Sequence, residues 1–104
     1  MRVLVVGDII GRPGRQALNQ FLPGLRKDLA LDMVVANGEN AAGGFGLTIQ
    51  SAMEMFGAGT DIITSGNHIW AQKDIYPHLD SDLPILRPIN YPPGVPGRGG
   101  SIFP

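Results

Sequence analysis

Hydrophobic and polar residues follow one another along the chain in blocks whose period switches between that of a strand and that of a helix. Short apolar runs at residues 2–6, 33–36 and 61–64 predict three buried β-strands. Between the first two runs, apolar residues recur with the spacing of an amphipathic helix, and they are Leu18, Phe21, Leu22, Leu25 and Leu29. Unbroken apolar runs are typical of parallel strands that are covered on both faces.

Proline, glycine and threonine mark the predicted ends of the helices. Pro13 suits the first turn of the first helix, because a helix leaves its early N–H groups unpaired, and Pro23 predicts a kink or a break further along. Thr48 is a candidate N-cap for a second helix, and Gly57 and Gly59 are its candidate stop signals.

The second half of the chain predicts shorter elements. Residues 74–79 predict a short helix, 84–86 a fourth strand, 87–100 an irregular segment rich in proline and glycine, and 101–103 the start of another strand. Strands that alternate with helices predict an α/β fold, in which mainly parallel strands are joined by right-handed crossover helices. No repeat and no linker divides the chain.

Composition narrows the possible functions. The chain has 15 glycines and 9 prolines in 104 residues, well above the average of about 12 such residues in a hundred, yet it is 43% hydrophobic, which excludes low-complexity disorder. The glycines and prolines are therefore expected in ordered loops.

The formal net charge of -1 excludes a broadly basic nucleic-acid binder, and no sequence-specific nucleic-acid binding is expected. The absence of cysteine excludes disulfides, zinc–thiolate sites and thiol nucleophiles.

The first apolar run is far shorter than a membrane span or the core of a signal peptide. We therefore expect no membrane partner and a cytoplasmic location.

Unusual polar residues directly follow each of the first three predicted strands. They are Asp8, then Glu39 and Asn40, then Asn67 and His68. Because the carboxyl ends of parallel strands share one edge of a sheet, we expect these side chains to converge. Carboxylate and amide oxygens with one imidazole, and no sulfur, suit Mn, Fe, Zn or Mg. Two nearby carboxylates repel each other unless a cation or a proton lies between them, and a metal ion satisfies several such groups at once.

Each of these residues also has an ordinary structural explanation. Asp8 would cap the following loop or helix, and Asn40 is a common turn residue. His78 is expected at the surface, and Trp70 is expected to pack in the core or at its rim. The glycine spacing fits neither the dinucleotide-binding turn nor a P-loop, so metal-independent nucleotide binding is a minor alternative.

Several longer stretches resemble the YmdB-like branch of the calcineurin-like metallophosphoesterases. They occur in the same order along residues 1–99: GDIIGRPG at 7–14, NGENAAGG at 37–44, GLT at 46–48, TSGNHIW at 64–70, LRP at 86–88 and NYP at 90–92. Gly-Asn-His alone is a weak signal, but the ordered set is highly specific.

The resemblance implies an α/β sandwich with a two-metal site at one end of its sheets, and phosphodiesterase activity that includes cyclic nucleotides. It implies that Asp8 is a ligand of the first metal, Glu39 the bridging carboxylate and Asn67 a ligand of the second metal. Asn40 is implied as a ligand or as a support for one. His68 is implied as the catalytic residue that contacts the scissile phosphate and assists the leaving oxygen. The two divalent ions would be Fe, Mn or Zn.

The chain departs from the family pattern at two positions and in length. Ile9 and Ile10 follow Asp8 where the wider superfamily has Asp-x-His, and Ala71 replaces a common acid. Members of the branch are much longer, and their later half supplies metal-binding histidines. We therefore expect residues 1–104 to be an incomplete metallophosphoesterase domain, the N-terminal part of the sandwich, weakly active or inactive alone.

Such a half sandwich would expose a sheet face and edge that favour a homo-oligomer. The alternative function is that of a non-catalytic interaction or assembly module derived from a phosphoesterase.

Overall fold

A computed structural model describes residues 1–103, in which three strands alternate with two long helices. The strands are β1 (Val3–Asp8), β2 (Met33–Asn37) and β3 (Ile62–Thr64), and the long helices are α1 (Gly11–Asp28) and α2 (Ile49–Ala58). Two 3-10 helices, Asn67–Trp70 and Lys73–Ile75, lead into the short helix α3 (Tyr76–Leu79), where the sequence predicts one short helix. The predicted α/β class is confirmed.

The three strands form one parallel sheet in the order β1-β2-β3. Both crossovers step in the same direction across the sheet, so right-handed connections put α1 and α2 on the same face. The two helices contact each other and pack on that face. The core between them includes the fully buried side chains of Leu22, Val34, Met55 and Ile63, and it is continued by Ile75 and Leu79.

Helix α1 runs without interruption for 18 residues, although Pro23 lies inside it. The predicted break is wrong, because Leu18 and Leu22 are both buried and hold successive turns of the helix against the core. Pro13 lies in the first turn, as predicted. Across residues 1–103, no helix combines the length and the apolarity needed to cross a bilayer.

Helix α2 begins at its predicted N-cap. Ser51 N–H donates to Thr48 Oγ1 at 3.1 Å, and Thr48 N–H donates to Ser51 Oγ at 2.9 Å, which forms a reciprocal capping box. Gly59 is the C-cap, whereas Gly57 lies inside the last turn. Of the two predicted stop signals, only Gly59 ends the helix.

Beyond α3 the described chain is irregular. Ile85 makes an isolated parallel bridge to Ile63 of β3 and Leu86 makes one to Arg98, so the predicted fourth strand at 84–86 is reduced to two isolated bridges. Residues 101–103 form no strand, which corrects the prediction there, since Ile102 is 94% exposed and pairs with no neighbouring strand. Residues 87–100 contain no helix or strand, as predicted.

Trp70 anchors this irregular segment. Its Nε1–H donates to the carbonyl oxygen of Pro96 at 3.1 Å, and its ring meets Tyr91 edge-on, with centroids 4.6 Å apart. The side chain therefore packs at the rim of the core, as the sequence predicts.

Strand β1 lies at the edge of the sheet and is covered on one face only. Val3 and Val5 are 46% and 73% exposed, whereas Leu4 and Val6 point to the opposite face and pack against the core. The prediction of a strand covered on both faces is therefore wrong for β1, because both helices occupy the same side. The expected exposure is thus seen at the edge strand β1, whereas Ile62 of β3, which lies on the same face as Val5, is buried.

Candidate functional site

A register shift at the end of β1 brings the first polar loop to the second. β1 pairs regularly with β2 as far as Val6, and the register then shifts by one residue at Gly7, so that Asp8 lies opposite Asn37. Ile9 N–H donates to the carbonyl oxygen of Asn37 at 3.0 Å and fixes this arrangement. An extra residue of this kind redirects the chain that follows it, and the sequence pattern does not reveal it.

Asn40 connects the first loop to the third. Its Nδ2 lies 3.1 and 3.0 Å from the two carboxylate oxygens of Asp8, and its Oδ1 lies 2.5 Å from Nδ1 of His68. A carboxylate only accepts hydrogen bonds, so the amide nitrogen faces Asp8 and the amide oxygen faces His68. Since an amide oxygen also only accepts, this pattern assigns a proton to Nδ1 of His68. Nε2 is then the ring nitrogen available to a ligand.

Glu39 lies near the same ring nitrogen of His68, against the backbone of the third loop. Its Oε2 accepts the backbone N–H of His68 at 3.3 Å and lies 3.8 Å from Nδ1 of the same residue. A Cβ on Gly66 would lie 2.5 Å from both oxygens of this carboxylate. The carboxylate therefore occupies a space that only glycine leaves free, and its side chain is 18% exposed.

Asn67 is the first residue of the 3-10 helix that follows β3, and it lies beside the cluster in the chain. Its side chain is exposed and, within residues 1–103, takes part in none of the hydrogen bonds that join the cluster. The structure thus brings four of the five candidate residues together through direct contacts, namely Asp8, Glu39, Asn40 and His68. Their chemical roles stay predictions.

The donor set suits a divalent cation in its chemistry but does not enclose one. Asp8, Glu39 and Asn67 offer the hard oxygen donors that such ions accept. In the part of the chain that the structure describes, however, no three His, Cys, Asp or Glu side chains lie close enough together to hold a metal ion. A metal bound here would need ligands in addition to these.

Sequence analysis missed the contribution of Arg15, which lies on α1. Its guanidinium donates to the carbonyl oxygens of Ala41 and Ala42 at 2.5 and 2.6 Å and to the Glu54 carboxylate at 2.7 Å. The Arg15 side chain is only 16% exposed. It therefore ties α1 and α2 to the loop that carries Glu39. The only signal in the sequence is an arginine early in a helix that begins at the site.

Sequence analysis also missed Phe45, at the tip of the second loop. Its ring centroid lies 5.0 Å from that of His68, with the two planes at 73°. The side chain is nevertheless 64% exposed. The signal was a single aromatic residue between Gly44 and Gly46 in a loop that leads to the site.

Comparison with known proteins finds similarity along almost the whole chain. The family model described as YmdB-like protein matches residues 4–104. A Bacillus subtilis (strain 168) protein named 2',3'-cyclic-nucleotide 2'-phosphodiesterase is 40% identical over 99 residues, which is 95% of this chain and 38% of that protein.

Two crystal structures share the fold. A hypothetical protein from Thermus thermophilus has a TM-score of 0.90 at 47% identity, over 95% of this chain and 38% of that one. A novel phosphatase from Mycoplasma pneumoniae has a TM-score of 0.89 at 29% identity, over 98% of this chain and 38% of that one. The chain thus spans less than two fifths of the length of these relatives. Because the family model matches residues 4–104, the chain belongs to the YmdB-like protein family.

Proposed function

We propose that the chain provides part of a metal-dependent phosphodiesterase site, in which two divalent cations and His68 act on a phosphodiester such as a cyclic nucleotide. The observation that carries this proposal is the hydrogen-bonded connection from Asp8 through Asn40 to His68, with the Glu39 carboxylate accepting the backbone N–H of the histidine. The name of the Bacillus subtilis relative supports the reaction and the substrate class.

In this proposal Asp8, Glu39 and Asn67 would supply oxygen ligands to two divalent ions, Fe, Mn or Zn, and Glu39 would be the carboxylate that the two ions share. Although Asn40 bonds both oxygens of Asp8, a carboxylate has about four lone-pair directions, so Asp8 keeps acceptor capacity for a cation. When bound, two such ions screen the charge of the phosphate and activate a water molecule for in-line attack.

His68 assists the leaving group in this proposal, and Asn40 orients His68. Because Asn40 holds Nδ1 of His68, Nε2 is the nitrogen that contacts the scissile phosphate and, in the protonated ring, donates to the leaving oxygen. Asn40 therefore acts as a positioning residue. Two ions take about four to six ligands each, so the proposal includes further ligands, from additional protein residues or from water and substrate.

The proposal is tested by metal content after purification and by hydrolysis of bis(p-nitrophenyl) phosphate with added Mn²⁺. We expect bound metal and weak turnover, and we expect Glu39→Gln and Asn67→Ala each to lower that turnover by about 100-fold or more, since the first removes the charge and one oxygen acceptor of a carboxylate and the second removes an oxygen ligand. Asp28→Asn is the matched control, because Asp28 is an exposed carboxylate at the far end of α1. It should leave turnover unchanged.

A protein with neither bound metal nor turnover would contradict the proposal and favour the second candidate, a non-catalytic interaction or assembly module. That candidate is supported by the lack of a three-ligand cluster within residues 1–103 and by the exposure of Val5 (73%) and Phe21 (59%). Turnover that survives in Glu39→Gln would place the hydrolysis elsewhere on the protein.

A further inference from the structure

Phe45 is an exposed aromatic side chain beside the catalytic histidine of the proposed site. Its ring is 64% exposed, yet its centroid lies only 5.0 Å from that of the His68 ring. Most of the Phe45 ring surface is therefore open to solvent directly beside His68. The fold gains little from leaving an apolar ring in this position.

The backbone around Phe45 is held firmly although its side chain is not. Gly44 and Gly46 flank it with φ values of 102° and 82°, which favour glycine. The loop is closed by Ala42 N–H, which donates to the carbonyl oxygen of Gly46 at 3.1 Å. Gln72 Nε2 donates to the carbonyl oxygen of Phe45 at 3.3 Å. These bonds fix the backbone position from which the ring extends.

We propose that Phe45 is a specificity-determining residue that stacks on the nucleobase of a nucleotide phosphodiester whose phosphate lies at His68. This inference rests on the proposed phosphodiesterase function and adds the group that the site recognises beyond the phosphate. Because the two rings are neighbours, with centroids 5.0 Å apart, a base joined through ribose to a phosphate held at His68 would lie within reach of Phe45. Every base offers a flat π-face, so the contact favours nucleotides over other phosphodiesters without selecting one base.

The test compares two cyclic esters that share a five-membered phosphate ring, 2',3'-cyclic adenosine monophosphate and the base-free 1,2-cyclic phosphate of glycerol. We expect Phe45→Leu to lower the preference for the nucleotide, expressed as the ratio of the two kcat/KM values, by about 5- to 150-fold. The loss should lie in KM for the nucleotide, with kcat little changed, because stacking binds substrate and transition state alike.

Two further variants make this test specific. Phe45→Trp keeps a stacking face and should retain the preference. Phe21→Leu makes the same change at a phenylalanine of similar exposure (59%) in the middle of α1, outside the loop that carries Phe45, and should leave the ratio of the two esters unchanged. Calorimetry compares the binding of adenosine 2'-monophosphate with that of glycerol phosphate and does not depend on turnover. Phe45→Leu should weaken the binding of the nucleotide only.

The possible outcomes separate the inference from the function on which it rests. If the protein hydrolyses both esters and Phe45→Leu leaves their ratio and the nucleotide KM unchanged, the inference is wrong and the phosphodiesterase function stands. If Phe45→Trp loses the preference as fully as Phe45→Leu, the residue acts by its shape rather than by stacking, and the inference is wrong. If the unaltered protein hydrolyses neither ester, the proposed function fails and the inference fails with it.

Discussion

The position of the Glu39 carboxylate depends on the absence of a side chain at residue 66. A Cβ there would lie 2.5 Å from both carboxylate oxygens. The backbone of Gly66, at φ -135° and ψ -150°, is extended and open to any residue. The glycine is therefore required for space and not for its backbone angles, and the space it leaves is occupied by a group that the proposed function needs.

Gly66→Ala is expected to impair the site with little effect on stability. The three atoms nearest to the new methyl group all belong to the flexible end of Glu39. The carboxylate can therefore move away, and the free energy of unfolding should change by less than about 1 kcal/mol. A carboxylate displaced by about 1 Å should cost roughly 100-fold in turnover. Urea unfolding and hydrolysis of bis(p-nitrophenyl) phosphate measure the two effects.

Gly24→Ala is the matched control for this substitution. A Cβ on Gly24 would meet nothing within 4 Å, and the residue lies inside α1, so alanine should stabilise the helix by up to about 1 kcal/mol and leave turnover unchanged. Turnover that is unaffected in Gly66→Ala would show that the position of Glu39 does not matter for the reaction.

At this scale the sequence predicts which residues meet but not how they bond. Polar residues at three successive strand ends indicate that Asp8, Asn40 and His68 lie near one another. That Asn40 bonds both of the others, and thereby orients the imidazole, depends on side-chain geometry. Composition and spacing carry no such information.

A single arginine on α1 donates hydrogen bonds to the loop between β2 and α2. The Arg15 guanidinium reaches the carbonyl oxygens of Ala41 and Ala42 as well as the carboxylate of Glu54. Arginine suits this position because its planar group donates in several directions at once. The loop that carries the proposed ligands is thus connected directly to the helix that follows β1.

Arg15→Ala is expected to lower the free energy of unfolding by about 2 kcal/mol, because it removes several charge-assisted hydrogen bonds from a largely buried position. It should also speed hydrogen exchange at the amides of Ala42 and Gly44, which close the loop. Arg12→Ala, on the exposed side of the same helix, is the control and should change stability by no more than about 0.5 kcal/mol. Equal effects of the two substitutions would contradict the assigned role of Arg15.

Periodicity predicts the elements well and their irregularities poorly. The strands and α1 and α2 lie where the apolar pattern puts them. Pro23 does not break α1, because burial of Leu22 outweighs the lost hydrogen bond. The shift at Gly7 is invisible in the pattern because it arises from pairing between strands, and pairing is a property of two segments rather than one.

The sheet has one face that the helices cover and an opposite face that is open at β1. Both long helices pack on one side of the sheet, and on the other side Val3 and Val5 remain exposed. On the helix side, a mainly apolar cleft of about 340 Å³ between β1 and α1 also opens to the surface beside Phe21 and Leu25. Order along the chain predicts the consecutive parallel sheet, but an apolar run in one strand cannot show how many of its faces are covered.

These apolar surfaces predict self-association of the chain. We expect sedimentation velocity to show species larger than a monomer that increase with concentration. Val5→Lys should shift the distribution toward the monomer, because a charge on the open face of an edge strand opposes pairing.

Gln20→Lys adds the same charge on the exposed side of α1 without removing an apolar group. It should leave the distribution unchanged. A monomer at all concentrations would show that the open face is tolerated in water.

The edge strand that is left uncovered is also the strand that ends in Asp8. Whatever covers β1 would therefore change the surroundings of one of the proposed ligands. Covering the sheet and filling the site would be two binding equilibria that share this strand, and thermodynamic linkage requires each to alter the other by the same factor. The metal ions and the covering segment would then act as reciprocal effectors. The effect of the segment on metal affinity could be measured by titrating the segment with and without the metal.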